Sequence, residues 1–128
     1  MIKLANVRIM EETTFDSQDY LVHRQFLEIL SAKYRNYHDV SSYAEMLNIT
    51  ARKFSETYKR CGGMGAKEII NGQIVAEAKR LLQFSSNTGK EIGFELGYNE
   101  KPYFTTVFKR KTGQTPTAFR REIKTLIS

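Results

Sequence analysis

Several residue types are scarce in this chain of 128 residues, and each scarcity excludes a class of protein. A single cysteine, Cys61, cannot form an internal disulfide, so nothing indicates an oxidising compartment. No run of about 18 apolar residues is present, so we expect no membrane span. The first residues also lack the pattern of a secretory signal. These absences predict a cytoplasmic protein. The length of 128 residues predicts one domain, or two very small ones that share a core.

Residues that carry catalytic or metal-binding chemistry are also few. His23 and His38 have no carboxylates around them in a metal-binding pattern, and Cys61 lacks the second cysteine that a zinc site would use. The glycines at 62, 63 and 65 follow a helical pattern instead of a strand, which disfavours a phosphate-binding loop. We therefore expect no enzyme activity, no metal, no cofactor and no small-molecule site.

Charge is distributed unevenly along the chain. The formal net charge is +6, yet residues 1–20 hold four acidic and two basic side chains, and residues 101–128 hold seven basic side chains against one acid. A concentrated basic half points to a polyanionic partner, most simply nucleic acid. A basic solvated surface that keeps the protein soluble explains the same charge, so composition leaves both interpretations open.

Apolar residues recur at three- and four-residue spacing from Tyr20 onward, which predicts an all-α fold of about seven helices. Good N-cap residues precede three of the predicted helices, at Asp39, Thr50 and Thr115. We expect a first helical region over about 20–63, a long linking helix over about 66–84 and a second helical region over about 88–128. Residues 1–19 are predicted to be a linker, or the tail of a preceding domain.

The two helical regions are related by an internal repeat. Ala44-Glu45-Met46-Leu47-Asn48-Ile49 corresponds to Gly93-Phe94-Glu95-Leu96-Gly97-Tyr98, and the aromatic pairs Phe54/Tyr58 and Phe104/Phe108 are each followed by Lys-Arg. In each copy a small residue allows two helices to cross closely, and Asn48 or Gly97 suits the left-handed backbone of a tight turn. Each copy therefore predicts a helix-turn-helix, whose second helix keeps one face free.

With these motifs in place, residues of about 21–124 resemble the DNA-binding domain of the AraC/XylS-type bacterial transcription regulators. The closing segment Gly97–Arg120 carries the family's glycine-aromatic, aromatic-Phe, Phe-Lys-Arg, Gly-x-Thr-Pro and aromatic-Arg elements at the family spacing. Four positions depart from the common pattern: Gly65-Ala66 replaces Ser-Pro, Ile74 replaces an arginine of the linking helix, and Gly93 replaces alanine. The resemblance implies two recognition helices in successive major-groove segments of one DNA face, about 34–36 Å apart.

The resemblance also implies roles for individual residues. Side chains expected to face bases are Arg52, Ser55 and Glu56 in the first recognition helix, and Lys101, Pro102, Tyr103 and Thr106 in the second. Side chains expected at phosphates are Thr50, Lys59, Arg60, Thr105, Lys109 and Arg110. Glu56 is equally well interpreted as a solvated acid that repels phosphate. Arg110, Lys111, Arg120 and Arg121 are expected to contribute mainly general electrostatic attraction.

The sequence thus predicts a sequence-specific regulator that binds double-stranded DNA, as the output module of a larger sensor protein. Family members often act as activators that contact RNA polymerase, which is expected as a further partner. The alternative is a helical protein–protein adaptor that kept the fold and lost DNA specificity, and Glu56 and Ile74 favour that alternative.

Overall fold

The computed structural model describes residues 17–60, 64–99 and 101–127. These residues form seven helices and contain no strand, so the predicted all-α fold is confirmed. The helices are α1 (Ser17–Lys33), α2 (Val40–Met46), α3 (Ala51–Lys59), α4 (Ala66–Phe84), α5 (Gly89–Glu95), α6 (Lys101–Thr112) and α7 (Pro116–Ile127).

The first helix begins three residues earlier than the sequence predicted. The apolar periodicity starts only at Tyr20, because the first turn of α1 begins with the polar residues Ser17, Gln18 and Asp19. Asp19 is 4% exposed and forms an ion pair with Arg60, so this residue belongs to the fold and not to the linker predicted for residues 1–19. Residues 1–16 of this predicted linker, and Cys61, lie outside the described residues.

Capping side chains fix the starts of four helices. The predicted N-caps at Asp39, Thr50 and Thr115 are confirmed, since each side chain accepts a hydrogen bond from the backbone N–H three residues later, at 3.0 or 3.1 Å. A fourth cap, at Thr88, was not predicted. Thr88 and Glu91 form a reciprocal capping box that starts α5 at Gly89.

The described residues divide into two compact units, 17–33 with 38–70 and 34–37 with 71–127, and α4 begins in the first and ends in the second. The first unit has an aromatic core in which Phe26 meets Tyr43, Phe54 and Tyr58 edge-on, with centroids 4.9 to 6.2 Å apart. Such edge-to-face geometry is the favoured one for buried rings. This cluster fixes one side of α3 against α1 and α2.

The second unit repeats this design with fewer buried aromatic residues. Phe104 and Phe108 of α6 are at most 1% exposed, and Ile92 and Leu96 of α5 are fully buried. Phe119 is only half-buried and packs edge-on against Phe108, with ring centroids 5.5 Å apart. The buried sides of α3 and α6 are therefore the sides predicted from the repeat.

Candidate nucleic-acid interface

Both units contain the same tight turn between two short helices. Asn48 has φ 59° and Gly97 has φ 93°, which is the left-handed backbone that the sequence predicted at these positions. The next residue then donates a backbone hydrogen bond to the small residue of the preceding helix, from Ile49 to Ala44 at 3.0 Å and from Tyr98 to Gly93 at 2.9 Å. Each unit is therefore a helix-turn-helix.

Helix α3 has one buried and one exposed side. Phe54, Thr57 and Tyr58 are at most 5% exposed. The predicted DNA-facing residues lie on the other side: Thr50, Arg52, Ser55 and Lys59 are exposed, and Glu56 is half-buried. The Arg52 side chain is 89% exposed, so an arginine is presented on the open face of the first recognition helix.

Arg52 and Glu56 are joined on this face by an ion pair. The Arg52 Nε donates to Glu56 Oε1 at 3.2 Å, across one helical turn. An exposed i, i+4 pair contributes only about 0.3–0.5 kcal/mol, so DNA can separate it at little cost. The pair therefore places two candidate base-reading groups side by side without locking either of them.

Helix α6 presents a less charged face near its start. Pro102, Tyr103 and Thr106 are exposed, and Tyr103 is 64% exposed. The Thr106 hydroxyl donates to the carbonyl of Pro102 at 2.7 Å, which leaves its oxygen as an acceptor. Lys101 is the first residue of α6. The second recognition helix thus offers mainly an aromatic ring, a proline surface and a hydroxyl.

Basic side chains follow at the ends of both recognition helices. Lys109 and Arg110 are exposed in the last turn of α6, where positive charge is favourable at the negative end of the helix dipole. Arg60, at the end of α3, is placed differently, because its guanidinium is bound to the carboxylate of Asp19. Arg120 also has an internal role: it donates to the carbonyls of Leu82 and Ser85.

Two clefts occupy matching positions of the repeat. In the first unit a cleft of about 280 Å³ is lined by residues that include Ser55, Lys59 and Lys67. In the second a cleft of about 350 Å³ is lined by residues that include Thr105, Lys90 and Thr117. Ser55 corresponds to Thr105, and Lys67 to Thr117, at the repeat offset of 50. Each helix-turn-helix therefore has a cleft beside its recognition helix, lined by both polar and apolar side chains.

Burial is the main cause of the pKa shift at three titratable groups in the two units. Burial raises the pKa of Tyr98, the residue that follows the second turn, to about 12, and raises that of Tyr43 to about 12 with a contribution from Asp39. His23 lies 2.8 Å from the Tyr58 hydroxyl, and burial lowers its pKa. These groups support the fold and do not line the exposed faces of α3 and α6.

The part of the chain that the structure describes contains no group of three or more His, Cys, Asp or Glu residues that could hold a metal ion. Across the same residues, no helix has the length and apolar character needed to cross a membrane. Ile74 of α4, which stands where the resembled family commonly has arginine, is fully buried. It therefore serves the core and offers no charge to a partner.

Comparison with known proteins agrees with this architecture. A family model described as "Helix-turn-helix domain" matches residues 43–122. The Bacillus subtilis protein "Bifunctional transcriptional activator/DNA repair enzyme AdaA" is 33% identical over 85 residues, which are 66% of this chain and 40% of that protein. The chain spans only 13% to 40% of the first curated relatives it matches.

Solved structures show the same fold. The C-terminal domain of AraT, a response regulator from Geobacillus stearothermophilus, matches with a TM-score of 0.73 and 23% identity, over 84% of this chain and 87% of that one. The DNA-binding domain of AdpA, a global transcriptional factor solved in complex with a target DNA, matches with a TM-score of 0.67 and 21% identity, over 78% and 93%.

The fold and the repeated turn define the class: a protein built from a pair of helix-turn-helix units. Within that class, the chain belongs to the helix-turn-helix domain family of the AraC/XylS type. The family resemblance inferred from residues 97–120 is thereby confirmed.

Proposed function

We propose that this chain is the sequence-specific, double-stranded-DNA-binding module of a transcription regulator. The observation that carries the proposal is the repetition of one design in both units. Each has a left-handed turn, a recognition helix anchored by two buried aromatics and an exposed face on the opposite side. Recognition helices of this kind enter the major groove, and two of them are expected to occupy successive segments of one DNA face.

The first recognition helix supplies the stronger base-reading chemistry. An arginine reads guanine through O6 and N7 with about 1–3 kcal/mol of discrimination, and a carboxylate accepts from the cytosine amine. Arg52 and Glu56 present these two groups on neighbouring positions of one face, with Ser55 beside them. In the second helix Pro102 suits a thymine methyl, while Tyr103, Thr106 and Lys101 complete the face. We expect this helix to add affinity more than sequence choice.

Phosphate contacts are assigned to polar residues around these faces. Lys59 and Thr105 line the two matching clefts, and Lys109 and Arg110 are exposed at the end of α6. Thr50 caps α3, where backbone N–H groups and the positive helix end favour an anion. For each phosphate that the module neutralises, the slope of log affinity against log salt concentration becomes steeper by about 0.9.

The complete protein is proposed to be a transcriptional activator in the cytoplasm with no enzyme activity in this part. The names of several relatives, among them the transcriptional activator RhaR of Cronobacter sakazakii, support activation. RNA polymerase is proposed as a second partner. The adaptor alternative is not favoured, because Ile74 is explained by the core and Glu56 pairs with an exposed arginine.

Fluorescence anisotropy with genomic duplex fragments tests the proposal. The affinity of the chain is measured for a genomic fragment that it binds and for random duplex, each over a range of salt concentrations. We expect specific binding about 10³-fold or more tighter than random binding, with log affinity falling linearly with log salt. Equal affinity for every duplex would reject sequence-specific regulation.

Two variants separate base reading from anchoring. Arg52→Ala should relax preference at one base position, while Lys109→Ala should weaken all duplexes alike and make the salt slope shallower by about 0.9. Both variants remove one exposed positive charge, so each is the charge-matched control of the other. A uniform loss from both would show that Arg52 does not read a base.

A further inference from the structure

The end of the first recognition helix is held by an internal carboxylate. Arg60 donates from Nε to Asp19 Oδ2 at 3.1 Å and from Nη2 to Asp19 Oδ1 at 2.5 Å. This two-point arrangement is the one that arginine also makes with a phosphate. The Asp19 side chain is 5% exposed and that of Arg60 is 44% exposed, so the acid is enclosed while the cation reaches the surface.

The pair also joins two helix ends whose dipoles favour it. Asp19 lies in the first turn of α1, where negative charge is stabilised, and Arg60 is the C-cap of α3, where positive charge is stabilised. One turn further along α1, the ring of His23 lies 2.8 Å from the Tyr58 hydroxyl. Two polar links therefore attach α1 to the last turn of α3, and the carboxylate holds the arginine in a fixed geometry.

The position of Arg60 makes it a natural phosphate contact. It adjoins Lys59, which is exposed and lines the cleft of the first unit. A cation near the end of a recognition helix meets the DNA backbone more readily than the base edges. In this structure, however, two of the five N–H donors of the Arg60 guanidinium, one on Nε and one on Nη2, already bind Asp19.

We propose that Asp19 acts as an internal competitor for DNA phosphate, holding Arg60 out of the DNA interface. This inference rests on the proposed DNA-binding function and deepens it. It assigns Asp19 as a positioning residue that acts through Arg60 and lowers the number of phosphates the module neutralises. It also replaces the expectation that Arg60 is one of the phosphate contacts.

The test measures salt slopes of duplex binding for three variants. Asp19→Asn keeps the shape of the side chain and removes its charge, so Arg60 is released to DNA. We expect the slope of log affinity against log salt to steepen by about 0.9, which makes the loss of affinity between 50 and 200 mM salt about 3.5-fold larger than in the parent chain. In the double variant Asp19→Asn/Arg60→Gln, whose net charge is that of the parent, the slope should return to the parent value.

A matched control distinguishes the release of Arg60 from the change in net charge. Glu28→Gln changes the charge by the same amount and releases Arg24, the partner of Glu28 in an exposed pair on α1. Its slope should stay close to that of the parent. Circular dichroism and thermal unfolding confirm that each variant is folded, and if Asp19→Asn fails to fold, the double variant carries the test, because its two amides can bond to each other.

Each outcome decides the question. A double variant with a slope about 0.9 shallower than the parent would show that Arg60 already contacts phosphate, and would overturn the proposal. An unchanged slope in a folded Asp19→Asn variant would overturn it as well. A parent chain that binds specific duplex with a clear salt slope keeps the DNA-binding function intact in either case, whereas a parent chain that binds no duplex rejects both.

Discussion

Substitution of Gly93 by alanine should destabilise the second unit, although alanine is the commoner residue at this position in the resembled family. A Cβ at Gly93 would lie 3.0 Å from Phe104 Cδ2 and 3.1 Å from both Cβ and Cγ of the same residue. Ordinary carbon contacts are about 3.5–4.0 Å, so the overlap is about half an ångström at three atoms. Phe104 is 1% exposed and cannot move away without disturbing the core.

Two opposing effects determine how much Gly93→Ala changes the free energy of unfolding. Replacing a helical glycine by alanine contributes about 0.5–1 kcal/mol of stability, while an extra methyl in a packed core costs about 1–3 kcal/mol. The net expectation for Gly93→Ala is a loss of about 1 kcal/mol. Gly72 of α4 is the matched control, because nothing lies within 4 Å of its hypothetical Cβ. Gly72→Ala should therefore raise stability by about 0.5–1 kcal/mol.

Urea and thermal unfolding, followed by circular dichroism at the helical band, measure both variants. For a chain of this length, 1 kcal/mol corresponds to a change in Tm of about 3–5 °C, so the two variants should shift in opposite directions. Phe104→Leu in the Gly93→Ala background should recover part of the loss, and the double-mutant cycle gives the coupling energy. A Gly93→Ala variant as stable as Gly72→Ala would refute the steric argument.

Three further predictions concern single side chains. Thr88→Ala should cost about 1 kcal/mol of unfolding free energy by removing the capping box, and Thr88→Ser should retain most of it. Because burial lowers the pKa of His23 below 6.5, the unfolded chain binds a proton at higher pH than the folded one. Stability should thus fall as pH decreases through 6.5, and His23→Gln should flatten that part of the curve measured by urea unfolding. Arg120→Gln should cost about 2 kcal/mol, since two charge-assisted hydrogen bonds to backbone carbonyls are lost. Arg121→Gln is the control, because it removes the same charge from an exposed neighbouring position, and its unfolding free energy should stay within about 0.5 kcal/mol of the parent. Equal losses of unfolding free energy in the two variants would contradict the role given to Arg120.

The sequence predicted the parts of the fold that depend on local chemistry. Helix periodicity depends on one side facing a core, so the spacing of Phe54, Tyr58, Phe104 and Phe108 was enough to assign them to the core. The turn at Asn48 was predictable because few residues tolerate a left-handed backbone.

Features that join distant residues were not predictable in this way. Asp19 and Arg60 are separated by 41 positions, and nothing in the sequence around either residue indicates the other. An acid near a helix start and a cation near a helix end are common, so these residues were interpreted as part of a linker and as a phosphate contact. The same holds for Arg120, whose bonds to Leu82 and Ser85 span 38 and 35 positions.

The departures from the family pattern also needed three-dimensional contacts. Gly93 is explained by the approach of Phe104, and Ile74 by its complete burial. In contrast, the exposure of Arg52 and Ser55 follows directly from their spacing relative to the buried aromatics of α3. Which bases these residues read is a property of the complex with DNA, so their roles stay predictions.

Methylation interference on a DNA site that the chain binds tests whether two recognition helices occupy the major groove. Methyl groups at guanine N7 lie in the major groove and block contacts there. If two recognition helices occupy successive major-groove segments, interfering guanines should form two clusters on one DNA face, separated by about one helical turn of 10–10.5 base pairs. Arg52→Ala should remove interference from one cluster and leave the other intact. A single cluster, or two clusters on opposite faces of the duplex, would contradict the account.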